Sequence, residues 1–225
     1  MYVTLPTEHI AAVTATAPLS KTCLSFPETR LKTGSYLYYE GDNVDWLYQV
    51  ASGVVRLTRL LSNGRRQVIS FGFPGDIVGF PSAGDHHTDC DALVDTRLRP
   101  YRRKCLESST CDAPLHRALL QAALREISAM QDHFMRLGRK SAAEKVASFL
   151  NVMSERVGDD MSVHTRFALP MSRSDIADFL GLTTETVSRT LTQLRKSKII
   201  EIENIHTIVV LRPTALLGLS QGDDG

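Results

Sequence analysis

The chain has no apolar run long and uncharged enough to span a bilayer. Its first twenty residues, MYVTLPTEHIAAVTATAPLS, lack a basic start followed by a sustained apolar stretch, so no secretion signal is expected there. Only four cysteines occur (Cys23, Cys90, Cys105 and Cys111), without the pattern of a disulfide framework, and a reducing cytoplasm is the expected compartment. Neither sign of charge dominates: the net charge is +1, which gives no sign of a nonspecific nucleic-acid coat but leaves room for a local basic patch. Catalytic patterns are missing as well. The seven histidines are scattered, and there is no nucleophile elbow, phosphate-cradling glycine loop or H-E-x-x-H helix, so no catalytic residue is assigned and no enzyme is expected.

What is present is an ordinary globular composition, 43% hydrophobic and 23% charged over 225 residues, enough for one or two domains with proper cores. The most informative stretch is LPMSRSDIADFLGLTTETVSRTLTQLRKSK, from Leu169 to Lys198. Ser172 and Asp175, three apart, form a capping box for a first helix whose apolar side is Ile176, Ala177, Phe179 and Leu180. Gly181 stops it, since glycine alone takes a left-handed backbone without steric penalty. Thr183 caps a second helix with Val187, Leu191 and Leu194 inward at helical spacing. Small residue, bend and anchor stand where a helix-turn-helix needs them.

The second helix would present Thr184, Glu185, Ser188, Arg189 and Thr192 outward. Arg189 can donate two hydrogen bonds to guanine O6 and N7, Glu185 can accept from cytosine N4, and Ser188 can bond a base edge or touch a thymine methyl. Arg173, Arg195 and Lys196 are candidates for phosphate contacts, with Thr183, Thr184 and Thr186 as positioning residues at the start of the helix. From Ser172 to Ile200 five basic residues face three acidic ones, a surplus small enough that two copies of the module are expected to be needed. The plainer reading is a helical hairpin with a solvated Glu–Arg pair.

Ahead of this lie short strand-like runs between glycine turns: Tyr36–Tyr39, Trp46–Ala51, Gly53–Leu60, Gln67–Phe71 and Ile77–Phe80. Their spacing argues for a small sandwich or barrel, and Asn63-Gly64 reads as a hairpin turn. Pro114 stands near the start of a long helix in which Leu120, Ala123, Ile127, Met130, Phe134 and Leu137 alternate at three and four residues. That is a heptad seam, read as a dimer contact, with Arg125, Glu126 and Asp132 on a polar opposite face; the plainer reading packs the helix on its own barrel. Gly138 should break or bend this helix. A second helix covers about Ser141 to Val157, and after the helix-turn-helix Ile199–Ile202 and Thr207–Leu211 form a wing. The expected organisation is an α+β chain: lead-in 1–28, β-roll 29–111, dimerisation helix 112–138, winged helix-turn-helix 139–217 and a disordered tail 218–225.

In this order of parts the chain resembles the CRP/FNR superfamily of bacterial transcription regulators over nearly its whole length. The Glu-x-x-Ser-Arg pattern of Glu185, Ser188 and Arg189 matches the FNR side, because CRP-like members carry glycine at the place of Ser188. The runs Leu169–Arg173 and Asp175–Thr183 look most like the FixK branch. The resemblance implies an N-terminal cyclic-nucleotide-binding-like roll and a homodimer on a palindrome of the TTGAT-N4-ATCAA type. It also implies that Arg189 and Glu185 read the central G·C pair, and it points to an activator of low-oxygen or nitrogen-fixation genes. Double-stranded DNA, a second copy of the chain and RNA polymerase are the implied partners. Exposed turns such as Ser62–Arg66 are candidates for the polymerase contact.

For what the roll senses, the resemblance offers three answers. Cyclic-nucleotide binding is disfavoured: Phe80 stands where a ribose-binding glutamate would be, and Cys90 and Asp91, beside Asp89, stand near the phosphate-binding arginine and serine, where carboxylates repel a phosphate. An iron–sulfur cluster is disfavoured for want of clustered thiolates. His86, His87 and Cys90 form an H-H-x-x-C run, read as a solvated loop with an incidental cysteine because no fourth metal ligand is evident. FixK-like members generally lack both ligand motifs and are controlled by their own synthesis, so little direct sensing and no cofactor or metal is expected; redox effects through Cys90 or Cys105 stay open. The alternatives are a cyclic-nucleotide- or redox-gated regulator of the same superfamily and, in another class, a ligand-binding or interaction module whose helices never touch DNA.

Overall fold

The computed structural model describes residues 26–108, 112–158 and 164–222, without the side chains of 132–139. Cys23, Cys111, the side chains of Phe134 and Leu137, most of the lead-in and the last three residues lie outside what is described.

Among the described residues eight strands build the roll: β1 (Thr29–Leu31), β2 (Tyr36–Tyr38), β3 (Trp46–Ser52), β4 (Val55–Leu60), β5 (Arg66–Gly72), β6 (Ile77–Val78), β7 (Asp89–Ala92) and β8 (Thr96–Arg102). They form two antiparallel four-stranded sheets, ordered β1-β8-β3-β6 and β2-β7-β4-β5. Val50, Val55, Leu57, Val78, Cys90 and Leu98 fill the space between them. The β4–β5 hairpin turns at Asn63-Gly64, where Gly64 has φ 76° and the Asn63 side chain accepts from the Arg65 amide at 3.0 Å. Gly53 links β3 to β4 with φ 87°, and a β-carbon there would collide with Thr96 and the Asp95 carbonyl. Only glycine satisfies both demands.

Three strands of the roll fall outside the expected ones. β7 carries two aspartates, a residue type depleted in strands, and β8 contains Pro100. The proline is tolerated because β1 pairs β8 only as far as Leu98, so no donor is needed on that side.

A single turn, α1 (Lys104–Glu107), leads to α2 (Ala113–Arg139), whose amino end is capped by the Asp112 side chain accepting from the Leu115 amide at 2.9 Å. Leu115, Leu119 and Ala122 bury one stripe of α2 against Val44, Leu47, Ile77 and Tyr101 of the roll. Each fully buried leucine contributes about 1.5–3 kcal/mol. α2 runs through Gly138 and ends at Arg139, one residue beyond the expected break, with Lys140 already extended.

α3 (Ala142–Val157) starts from a Ser141–Glu144 capping box. The remaining elements are β9 (Thr165–Ala168), α4 (Arg173–Leu180), α5 (Thr184–Lys196), β10 (Ile200–Asn204), β11 (Thr207–Val210) and α6 (Pro213–Gln221). The wing has three strands, ordered β10-β11-β9. Residues 218–221, expected to be disordered tail, are helical. α6 buries Leu216, and Lys140 donates to the Ser220 carbonyl at 2.6 Å and to Ser148 Oγ at 2.7 Å, tying α6 to the start of α3. One apolar cluster joins Val54, Val68, Phe71 and Phe73 of the roll to α3, α4 and α5, so the helix-turn-helix sits directly on the β4–β5 sheet.

Candidate nucleic-acid interface

The local geometry of α4 and α5 follows their sequence closely. Ser172 Oγ accepts from the Asp175 amide at 3.1 Å, while Asp175 Oδ2 accepts from the Ser172 amide at 3.0 Å, closing the capping box. Gly181 takes φ 63°, ψ 39°, and its amide returns to the Ala177 carbonyl. Thr183 Oγ1 accepts from the Thr186 amide at 3.1 Å. Val187, Leu191 and Leu194 are buried, as are Ile176, Ala177 and Leu180 opposite them. Phe179 is partly buried, between Phe71 at 5.4 Å and Phe149 at 5.9 Å.

The other side of α5 is open. Glu185, Ser188, Arg189, Thr192, Gln193 and Lys196 line one shallow surface along it. Arg189 Nη2 and Glu185 Oε1 are 2.6 Å apart, with side chains 79% and 71% exposed. Glu185 lies in the first turn, where the helix dipole favours a negative charge, and Arg195 and Lys196 lie in the last, where it favours positive ones. The amino end of α5 suits a phosphate oxygen. Thr183 and Thr186 share a 2.8 Å hydroxyl contact, and the Thr192 hydroxyl turns back to the Ser188 carbonyl, so these side chains shape the helix as well as the surface. Thr184 is exposed; Arg173 is half-buried, lying with Ile202, Ile205 and Ile208 of the wing. Gln193 escaped the sequence reading although it follows Arg189 by one turn, a spacing that places both on one face.

A second open surface runs along α2. Leu120, Ile127 and Met130 are exposed and Ala123 half-buried, on a different side of the helix from the stripe that packs on the roll. Leu124, unanticipated in the seam, is 63% exposed and widens it. Glu126, expected on a solvated polar face, is instead half-buried and follows the stripe of Leu115, Leu119 and Ala122, with its Oε2 covered. Burial and the nearby Asp76 push its carboxyl up to about 7, and Glu126 Oε2 has no hydrogen-bond partner among the described residues.

Within the roll, the residues do not fit a cyclic nucleotide. Phe80 packs against the apolar cluster under α2. The buried His86 ring stacks on Tyr38 at 3.5 Å, and Gly79 is so close that a β-carbon there would sit 3.3 Å from His86 Cε1. Cys90 is in the core, and burial pushes its thiol up to about 12. Asp91 is not a bare negative charge: Arg56 grips it with two bonds, at 3.0 and 2.8 Å. The H-H-x-x-C run is no solvated loop, since His86 and Cys90 are buried while His87 is exposed. Among the described residues no group of three or more His, Cys, Asp or Glu gathers as a metal site. In the Ser62–Arg66 turn, residues 62–65 are exposed, but Arg66 is engaged with Asp175 and Asp178 and so is not free for a partner.

Two family profiles match: a Crp-like helix-turn-helix domain over residues 144–219 and a cyclic nucleotide-binding domain over residues 28–108. The nitrogen fixation regulation protein FixK of Rhizobium meliloti (strain 1021) is 40% identical over 188 residues, 84% of either chain. The chain belongs to the CRP/FNR family. It is a DNA-binding transcription regulator with the α+β architecture of that family, not an enzyme. FixK of Bradyrhizobium diazoefficiens is also 40% identical, over 76% of this chain and 72% of its own. The solved structure of FixK2 from Bradyrhizobium japonicum superposes with a TM-score of 0.80 at 38% identity, covering 87% of this chain and 98% of that one. Among the described residues, no helix is long and apolar enough to cross a membrane.

Proposed function

We propose that this CRP/FNR-family protein acts as a cytoplasmic homodimer on a palindrome of the TTGAT-N4-ATCAA type, activating low-oxygen or nitrogen-fixation genes. The observation that carries the reading is the exposed Glu185–Arg189 pair on the outward face of α5, with Ser188 beside it. A guanidinium and a carboxylate held one turn apart offer two donors to guanine and an acceptor to its paired cytosine. Arg173, Thr183, Thr184, Thr186, Arg195 and Lys196 would hold phosphates around them. The apolar strip Leu120, Ala123, Leu124, Ile127 and Met130, continued in sequence by Phe134 and Leu137, is the surface for a second copy. Pairing along it would place two α5 helices about one DNA turn, or 34 Å, apart.

Activation would proceed by contact with RNA polymerase, for which the exposed Ser62–Arg65 tip of the β4–β5 hairpin is the candidate. Relatives named as nitrogen fixation regulators support the choice of genes. Selection of bound duplexes from a random pool, using full-length protein in air without added ligand, tests the reading. An enriched inverted repeat with a conserved guanine in each half supports it; enrichment without symmetry overturns it. Titration with cyclic AMP tests the rival gating, and saturable tight binding would favour that rival.

A further inference from the structure

Beside their shared apolar cluster, the roll and the helix-turn-helix are joined by ion pairs that converge on one carboxylate. Asp175 is buried and does two jobs with its two oxygens. Oδ2 closes the capping box of α4, accepting from the Ser172 amide and from its hydroxyl at 2.7 Å. Oδ1 receives Arg56 of β4 at 2.5 Å and Arg66 of β5 at 2.7 Å. Burial alone would raise this acid, but the Ser172 and Arg56 contacts outweigh it and hold the carboxyl below its ordinary range.

Each arginine has a second anchor. Arg56 is bidentate to Asp91 of β7, so its own position is set by the sheet. Arg66 reaches Asp178, three residues beyond Asp175 on the same face of α4, at 2.8 Å. The Gln67 side-chain amide donates to the Asp178 carbonyl. Phe71 against Phe179 adds an apolar contact beside these bonds.

An apolar contact alone is non-directional, and a helix resting on one can slide or turn. Buried ion pairs add little net stability, because desolvation offsets their attraction, but their bonds have fixed directions. Three polar side chains from two adjacent strands therefore fix where α4 sits and how it is turned. α4 shares a core with α5, through Ala177 and Leu180 on one side and Val187 and Leu191 on the other. α2, which carries the proposed twofold contact, is packed on the same roll. The clasp thus closes a rigid path from the dimer strip to the recognition helix.

From this we propose that Arg56, Arg66 and Asp178 are positioning residues that set the half-site spacing the dimer accepts. The inference rests on the dimeric, palindromic reading above. Changing a spacer by one base pair moves the second half-site by about 3.4 Å and turns it by roughly a tenth of a helical turn. A rigid pair of recognition helices rejects that displacement; a loosened pair follows it.

The test uses full-length protein and fluorescence anisotropy on duplexes carrying two TTGAT-type half-sites separated by three, four, five or six base pairs. Wild type should favour the four-base spacer. Arg66→Gln and Asp178→Asn should each shrink that preference about tenfold, with the guanine preference inside a half-site unchanged. Arg56→Gln should do the same; if it fails to fold, because it leaves Asp91 and Asp175 short of a cation, the two partly exposed positions decide. A spacer ratio that stays at its wild-type value in a cooperatively folding Arg66→Gln or Asp178→Asn protein overturns the clasp proposal. Wild type that binds palindromes equally at every spacer also overturns it, while leaving DNA recognition intact. Failure of wild type to bind any palindrome would instead remove the functional reading beneath it.

Discussion

Arg189 and Glu185 form a 2.6 Å ion pair on the open face of α5, with their side chains 79% and 71% exposed among the described residues. An exposed pair at this spacing adds only about 0.3–0.5 kcal/mol to a helix. Its small stabilising effect, and its placement, separate recognition from folding.

Arg189→Ala is therefore expected to leave thermal unfolding nearly unchanged. It should weaken operator binding by roughly 1–3 kcal/mol per half-site, and only where the guanine is present. Anisotropy on operator and guanine-substituted duplexes checks this. Undiminished preference for that guanine would remove Arg189 from the reading face.

Ile127→Asp places a carboxylate in the middle of the unpaired strip on α2. If that strip is the dimer contact, the substitution buries a charge at the seam and should split the dimer, weakening palindrome binding while the single chain stays folded. Sedimentation at low concentration is the check; a persistent dimer would place the contact elsewhere.

Glu126 gives a pH dependence of unusual sign for an acid. Its folded-state carboxyl sits at about 7, above the 4.5 of an unperturbed glutamate, because burial disfavours the charge. The folded chain then holds a proton that the unfolded chain has released, so this group's contribution is full below about pH 4 and is lost as pH rises through 7. Glu126→Gln should be the more stable protein at pH 8, by roughly 2–3 kcal/mol, with the difference fading in acid. Denaturant unfolding at several pH values measures it.

The Cys90 thiol, buried in the roll and pushed up to about 12, should resist alkylation and mild oxidants in the folded protein. Cys105 is buried as well. Mass-spectrometric mapping after iodoacetamide treatment should find Cys90 unmodified until denaturant is added. Rapid labelling under native conditions would reopen a redox role.

The elements legible in the sequence are those whose causes are local. Ser172, Asp175, Gly181 and Thr183 act within three or four residues of themselves, so caps, turn and helix periodicity could be read directly. The same holds for the Asn63-Gly64 hairpin. Strands such as β7, β8 and β9 were missed because their stability comes from distant partners that override a poor local preference: β9 is a strand because β11, some forty residues later, pairs with it. For the same reason the α2 pattern could not tell Glu126 on the roll from Glu126 in water.

The linear chain by itself determined the two helices, the turn between them and which side chains α5 turns outward, since hydrogen bonds from a cap or a glycine reach only to near neighbours. Tertiary structure alone decided which faces were left open and how the reading helix is held. Arg56 and Asp175 are 119 positions apart, and no periodicity records a bond of that span. Their meeting goes with a whole sheet and two helices packing Phe71, Phe149 and Phe179 together.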